Sequence, residues 1–517
     1  MCVSKGLQIL IMFIAIIGSG SLISSQAEEK EKPDRSEEVI KMTDEGLSGT
    51  VIEKKEEKAA EKKGEGEKKE LIIEEPKENP KEEEREEGLV IKGRKGPEFR
   101  LKGLVKNLYS FHRTDYYLGE NPLTVSSKNL SADLTRVRLS PEFKYRNFLT
   151  IALDYDNELI WSNLGKSMDF KAYWRPRQYN DFLHLTWEPY RGDDLYYRTK
   201  IHRAVVKAGT KDFAVTVGRQ QIRFGSGRLW NPLDILNPLS PVFIEAASEQ
   251  KGTDAVRLDF FPDKKSEITI ILDLKRGNDK IEHINYRDLN YLLRAKTAVA
   301  EVDIAILGGY VTRRGVAGLD FAAPVFDGRL RGSMVVSQTE EAYVEEIDPY
   351  TSFYTPLYIL KTLMPGREGY SPVFFQAHIG YEYTFKQGVY ILAEYFFNQR
   401  ALNYNKDSKI AWYTARLNAM DQKTYLQLAN QFLTKNQHYV SAALGYGFHP
   451  MVRGELFLIG DIQGRGIFWN PLLKITPFKN LDFSLGMMGA FTFNNKASDF
   501  SEYRKNYLFY ASGSYLF

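Results

Sequence analysis

Beyond its first 27 residues the chain has no run of about 18 apolar residues, the length a membrane-spanning helix requires. If it crosses a bilayer, it does so as strands, and only a closed barrel leaves no backbone group unsatisfied in lipid. It has a single cysteine, Cys2, so disulfides cannot be its staple. The seven histidines, His112, His184, His202, His283, His378, His438 and His449, are scattered and none forms a ligand-spaced motif. No Ser–His pairing, no phosphate-cradling glycine loop and no basic patch with nucleic-acid logic is visible. The expectation is therefore a protein that is not an enzyme, needs no cofactor or metal and meets no nucleic acid. Asp154 and Asp156, with Glu158, are the one weak Ca²⁺ candidate, because alternate strand residues project together.

The first residues are present for export. Lys5 supplies a positive start, Leu7 to Ile17 is apolar except for Gln8, and Ser25-Gln26-Ala27 fits a cleavage site. Residues 1–27 are expected to be a signal peptide. Residues 28–96 lack any aromatic side chain and are dominated by Glu and Lys, as in Glu53-Lys54-Lys55-Glu56-Glu57-Lys58. Such a segment cannot bury enough apolar surface to offset its ordering entropy. It is expected to be a disordered or partly helical periplasmic extension, whose reachable partners would be peptidoglycan or periplasmic export proteins.

From Phe99 onward the text alternates. Phe99, Leu101, Gly103, Val105, Tyr109 and Phe111 share one parity, with Arg100, Lys102 and Lys106 on the other. Val137, Leu139 and Phe143 alternate with Arg136, Arg138 and Lys144, and Val389, Ile391, Ala393 and Tyr395 alternate with Glu394. Period two with one apolar face marks strands. The connections come in two sizes. Tight turns such as Arg146-Asn147 and Lys386-Gln387-Gly388 separate long stretches near 112–129, 159–195, 225–252, 339–372 and 399–436. Short turns on one rim and long loops on the other is the layout of an outer-membrane barrel. Alternating the two predicts an all-β, antiparallel up-and-down transmembrane barrel over 97–517, with about 18 strands (16–18). Residues 165–195 are read as a hairpin in a long outer loop, and 212–224 as wall strand. The chain ends on Tyr507, Phe509, Ala511, Gly513, Tyr515 and Phe517 on one face. Tyr515 and Phe517 resemble the C-terminal targeting signal read by the barrel assembly machinery.

Inward side chains would set the chemistry of the lumen. The candidates for anion contact are Arg136, Arg138, Arg219, Arg223, Arg257, Arg329 and Arg331, and the pore-lining acids are Asp154, Asp156 and Glu394. Strand parity would aim Arg219 and Arg223 at lipid, which is costly, so a bulge near Gly218 or a position above the membrane is expected. The following loop, with Pro232, Asp234, Pro238 and Pro241, is either an inward constriction or an external loop.

The strand carrying Gly218-Arg219-Gln220, followed by a Gly-rich loop containing Asp234, resembles the alginate-export and related porin-like outer-membrane barrels. The resemblance implies a basic lumen passing an anionic polysaccharide or small solutes, in contact with lipid and lipopolysaccharide of the bacterial outer membrane. The Lys/Glu extension and the many lumenal carboxylates depart from that pattern. Three readings stand: a porin-like channel for hydrophilic, anionic solutes; an alginate-like export pore; and a structural or adhesive barrel with a blocked lumen.

Overall fold

The computed structural model describes residues 89–92, 96–118, 125–146, 148–163, 182–236, 252–274, 289–311, 314–338, 373–399, 401, 434, 436–493 and 498–517. The expected signal peptide, nearly all of the Lys/Glu extension, and loops 339–372 and 402–433 lie outside these residues. The barrel belongs to the unit Pro80–Phe517.

Twenty strands form one antiparallel sheet. They are β1 (Leu89–Lys92), β2 (Glu98–Leu118), β3 (Val125–Tyr145), β4 (Leu149–Ser162), β5 (Thr186–Arg191), β6 (Leu195–Gly209) and β7 (Phe213–Gln220). Next come β8 (Thr253–Phe260), β9 (Glu267–Asp273), β10 (Asn290–Val299), β11 (Val302–Val311), β12 (Arg314–Val325) and β13 (Gly328–Gln338). The remainder are β14 (Val373–Thr384), β15 (Tyr390–Asn398), β16 (His438–His449), β17 (Val452–Asp461), β18 (Gly466–Phe478), β19 (Leu481–Thr492) and β20 (Leu508–Leu516). All but β1 and β5 pair in sequence, each with the next, and β20 closes the ring on β2 from Leu104↔Leu516 to His112↔Leu508. The wall is thus a closed 18-strand antiparallel barrel.

Alternation places the apolar parity outside. Val105, Tyr109, Phe111, Val217, Leu293, Ile306, Ile379, Leu485 and Phe491 are all exposed, whereas their strand neighbours are buried or half-buried. An exposed apolar belt on a sheet with no free edge is a surface built for lipid. One outward cluster interrupts it: Asn107 Nδ2 donates to Asp133 Oδ1 (2.7 Å) and to Thr135 Oγ1 (3.0 Å). One rim carries only short connections, such as 146–148, 300–301 and 479–480, while the other carries the long loops together with short connections at 312–313 and 462–465. Between β10 and β11 the two turn residues Ala300 and Glu301 both have positive φ, which gives the hairpin the sense of twist its strands require.

Three features depart from the sequence reading. β2 runs to Leu118 and β3 starts at Val125, so much of 112–129 is strand rather than loop. β1 falls inside the segment expected to be disordered. It pairs with β2 at Leu89↔Leu101 to Lys92↔Glu98, taking the edge that β20 leaves uncovered below Leu104. Four residues are too short to show a period, and the vacant ladder edge supplies what periodicity cannot. Finally, β7 ends at Gln220, four residues before the expected end at Phe224.

The early end of β7 opens the edge of β6 above Ala204, and β5 fills it. Thr186↔Lys200 to Arg191↔Tyr196 pair along that edge, and Ile201 N donates to Leu185 O (2.8 Å). The outer-loop strand expected within 165–195 therefore patches the sheet where a wall strand has turned away.

A strap across the lumen and its two walls

After Gln220 the chain enters the barrel. Residues 221–236, here called the strap, carry no regular strand yet are mostly buried. Two patches of inward apolar side chains hold them. Ile222, Phe224, Leu233, Ile235 and Leu236 pack on Ala255, Ile271, Leu292, Leu307, Val316 and Val335, which line β8 to β13. Leu229 and Trp230 at the tip pack into a second patch that includes Phe396, Tyr439, Phe468, Met488 and Tyr510. Phe500, beside the 3-10 turn Ser501–Arg504, joins that patch. Trp230 stacks on Phe396 with centroids 4.5 Å apart and planes 5° off parallel. Burial of a tryptophan in such a site contributes on the order of 3 kcal/mol.

The polar contacts of the tip are equally directed. Ser226 donates to Asp320 Oδ1 through both its N–H (3.0 Å) and its hydroxyl (2.7 Å). Glu394 accepts three successive backbone N–H groups, from Arg228 (2.8 Å), Leu229 (2.9 Å) and Trp230 (3.1 Å). Trp230 Nε1 donates to Ser441 Oγ (2.7 Å). Asp320, Glu394 and Ser441 lie on β12, β15 and β16, whereas the strap leaves the wall from β7. The strap therefore spans to a different part of the wall and is fixed there. Gly225, at φ +89, makes one of its bends, and a Cβ there would overlap the Asn231 side chain.

Asp234 sits on the strap among those apolar side chains, with neither carboxyl oxygen hydrogen-bonded. Burial pushes its pKa up to about 8, against the pull of Arg223, whose Nε is 3.7 Å away. Arg223 itself is half-exposed on the strap rather than on a wall strand.

The wall formed by β3, β4 and β6, whose Leu130, Leu134, Ile160 and Tyr196 belong to the same apolar patch as the strap tip, carries a different arrangement. On β3, β4 and β6 the register aligns two rows, Arg136–Glu158–Arg198 and Arg138–Asp156–Lys200. Arg136 Nε donates to Glu158 Oε1 (2.7 Å), Arg138 makes a two-pronged contact with Asp156 (2.6 and 2.9 Å), and Lys200 Nζ lies 2.8 Å from Glu158. Arg198 also donates to Glu158. Two carboxylates thus stand between four bases. The Ca²⁺ reading of this face meets those four cations instead, while Asp154 lies opposite Arg203 in the ladder.

Arg219 keeps its place in the wall. Gly218 has φ +119, yet the pairing with β6 and β8 continues through Arg219 without a register shift. Its guanidinium donates twice to Asp254 (2.8 and 2.8 Å) and once to Leu183 O (2.8 Å). Leu183 N in turn donates to Asp254 Oδ2 (2.8 Å). This buried pair ties the outer-loop segment before β5 to the end of β8 and closes the seam that β7 leaves.

The remaining candidates are distributed. Arg257 pairs with Asp259 (2.8 Å) and Glu267 (3.0 Å), Arg329 with Asp303 (3.2 Å), and Arg331 with Glu382. Tyr515 and Phe517 project outward and stack on each other at 6.2 Å. The Phe517 backbone exchanges two hydrogen bonds with Gly103, and a Cβ at Gly103 would overlap the Phe517 ring. The sequence reading missed Arg228, Ser226, Trp230, Asp320 and His378. Nothing in strand parity marks a loop tip as a lumenal group. The one available signal was that the loop after Gln220 carries Phe224, Leu229, Trp230 and Leu233, too many large apolar side chains for an external loop.

No family model and no curated protein matches the chain. Among solved structures it is similar to Pseudomonas aeruginosa OccK5 (OpdH), with a TM-score of 0.44 and 11% identity over 80% of this chain and 97% of that one. It is similar to Acinetobacter baumannii OccAB3, with a TM-score of 0.44 and 11% identity over 81% and 99%. A third is Pseudomonas aeruginosa OpdK with vanillate, with a TM-score of 0.42 and 10% identity over 81% and 98%. These likenesses carry no argument about function, and the barrel stands on its own strand pairing.

Proposed function

We propose that this protein is an outer-membrane channel that passes small hydrophilic solutes past the strap and favours anions. The observation that carries the reading is the paired-row face of β3, β4 and β6, where four bases, Arg136, Arg138, Arg198 and Lys200, stand against the two carboxylates Asp156 and Glu158. A fixed charge excess in a narrow, partly dehydrated passage selects ions by sign. Arg228 on the strap tip, exposed beside Glu382 (3.4 Å), adds a further cation. The same reading assigns residues 1–27 to export, Tyr515 and Phe517 to the barrel assembly machinery and 28–96 to the periplasm, within reach of peptidoglycan.

An alginate-like export pore would share the basic face. A strap fixed to β12, β15 and β16 stands against threading of a polymer, so the small-solute reading is preferred. A blocked structural or adhesive barrel would show no conductance at all.

The test is the reversal potential of the purified full chain in planar bilayers under a KCl gradient. The reading expects chloride to permeate better than potassium, and this preference to fall when Arg198 and Lys200 are replaced by Gln. Equal permeability of both ions before and after would defeat it. Tight binding of an anionic oligosaccharide would return the export reading.

A further inference from the structure

The strap tip contains an anion site that the chain fills for itself. We propose that the three successive N–H groups of Arg228, Leu229 and Trp230 form an oxyanion-binding nest, occupied at rest by the Glu394 carboxylate. A small free carboxylate fits the same nest and takes the place of the Glu394 carboxylate where that side chain is removed. The inference rests on the channel reading for its consequence, though not for the site itself.

Both oxygens of Glu394 are used. Arg228 N donates to Oε1, and Leu229 N and Trp230 N donate to Oε2, at 2.8 to 3.1 Å. Consecutive backbone N–H groups converging on one anion are a recurrent carboxylate and phosphate receptor. His378 Nε2 lies 3.1 Å from Oε1 as a fourth group facing the anion. The site is buried, with Glu394 2% exposed, so each of these charge-assisted contacts counts for more than it would in open water.

Glu394 is not there to satisfy its own strand. Its ladder neighbours are Gly380 and Ser441, neither of them a base. A Cβ at Gly380 would come within 2.8 Å of Glu394 Cγ, so the glycine makes the space through which the side chain reaches the strap. The receptor is backbone, which binds a carboxylate irrespective of the molecule that carries it. The burial limits the ligand to a small planar oxyanion, and the Arg228 side chain, the most exposed cation of the tip, gives it an electrostatic approach. Because Glu394 competes intramolecularly, a free carboxylate binds the intact protein weakly and binds well only once Glu394 is removed.

Formate is the probe. Glu394→Ala, purified as the full chain, is expected to spend about ten-fold more time with the strap undocked in chloride, which reads as higher and noisier single-channel conductance. Replacing chloride with formate at constant ionic strength is expected to return the variant toward wild-type behaviour, while wild type changes far less. Acrylamide quenching of Trp230, with the other tryptophans replaced by Phe, reads the same docking without requiring conductance. Formate should shield Trp230 in Glu394→Ala. If that variant does not assemble into a heat-modifiable barrel, Glu394→Ser, which opens the same space but keeps a polar group on β15, is expected to show the same formate response. Quenching and conductance that are the same in formate and chloride would overturn the nest. A wild-type protein that conducts nothing while formate still shields Trp230 would overturn the channel reading and leave the nest standing.

Discussion

Two stretches of one wall handle buried charge in opposite ways. On β3, β4 and β6 each buried carboxylate meets its cations one strand away, as Asp156 meets Arg138 and Lys200 and Glu158 meets Arg136 and Arg198. On β12 and β15, Asp320 and Glu394 face Ser333, Ala305, Gly380 and Ser441 across the ladder. Their hydrogen-bond donors from residues 226–230 lie some 90 to 170 positions away in the chain, and His378 on β14 adds a ring nitrogen 3.1 Å from Glu394. A buried carboxylate whose directly paired ladder residues carry no base, and which accepts backbone N–H groups from elsewhere, is the mark of a third element docking on that face. In the first stretch charge serves the wall, with four bases set against two carboxylates. In the second it serves the strap.

The comparison can be broken by substitution. The largest effect is expected at Arg138→Ala, which leaves Asp156 short of its two-pronged partner; one-sided loss of a buried pair costs about 3–5 kcal/mol. It should lower the unfolding temperature of the whole barrel, read as the temperature at which heat-modified migration appears on gels. Trp230→Ala is expected to remove about 3 kcal/mol from strap docking, seen as channel noise, with barrel unfolding little changed. Equal barrel destabilisation by both variants would erase the distinction between wall and strap.

Asp234 sharpens the comparison through pH. Its pKa on the docked strap is about 8, above the 3.8 of a solvated aspartate, so docking takes up a proton that the undocked strap has released. Docking should therefore be strongest at acid pH, weaken by at most about ten-fold per pH unit from near pH 4, and level off above about 8. Asp234→Asn should flatten that dependence in single-channel recordings. An unchanged profile would show that Asp234 is not the titrating group. The smallest effect is expected at Ser226→Ala, which removes one hydroxyl donor to Asp320 while keeping the backbone one, at about 1 kcal/mol of strap docking. A modest rise in channel noise, well below that of Trp230→Ala, is the predicted readout.

The wall was legible in the sequence because strand parity is local. All eighteen wall strands follow from alternation between Phe99 and Phe517, and the two-row face of β3, β4 and β6 follows from the same parity once the register is known. β1 and β5 were not legible as sheet members. They are four and six residues long, and each exists because a neighbour's edge is vacant. For Arg219 the sequence offered a bulge near Gly218 or a position above the membrane, and the ladder shows no bulge there. Parity exposes its guanidinium to lipid, and what relieves it is no bulge in the ladder but Asp254 beside it and Leu183 from a distant loop. The strap was readable only as a loop that either turns inward or lies outside. Its docking sites, Asp320, Glu394 and Ser441, are set by tertiary reach, which no period along the chain encodes.

The central claim is that residues 221–236 cross the lumen and limit it. Single-channel conductance of the full chain, compared with a variant in which Ser226 to Ile235 is replaced by a short Gly–Ser linker, tests it directly. The account predicts a clearly larger unitary conductance for the variant, in a barrel that still shows heat-modified migration. The same unitary conductance in both folded proteins would contradict it.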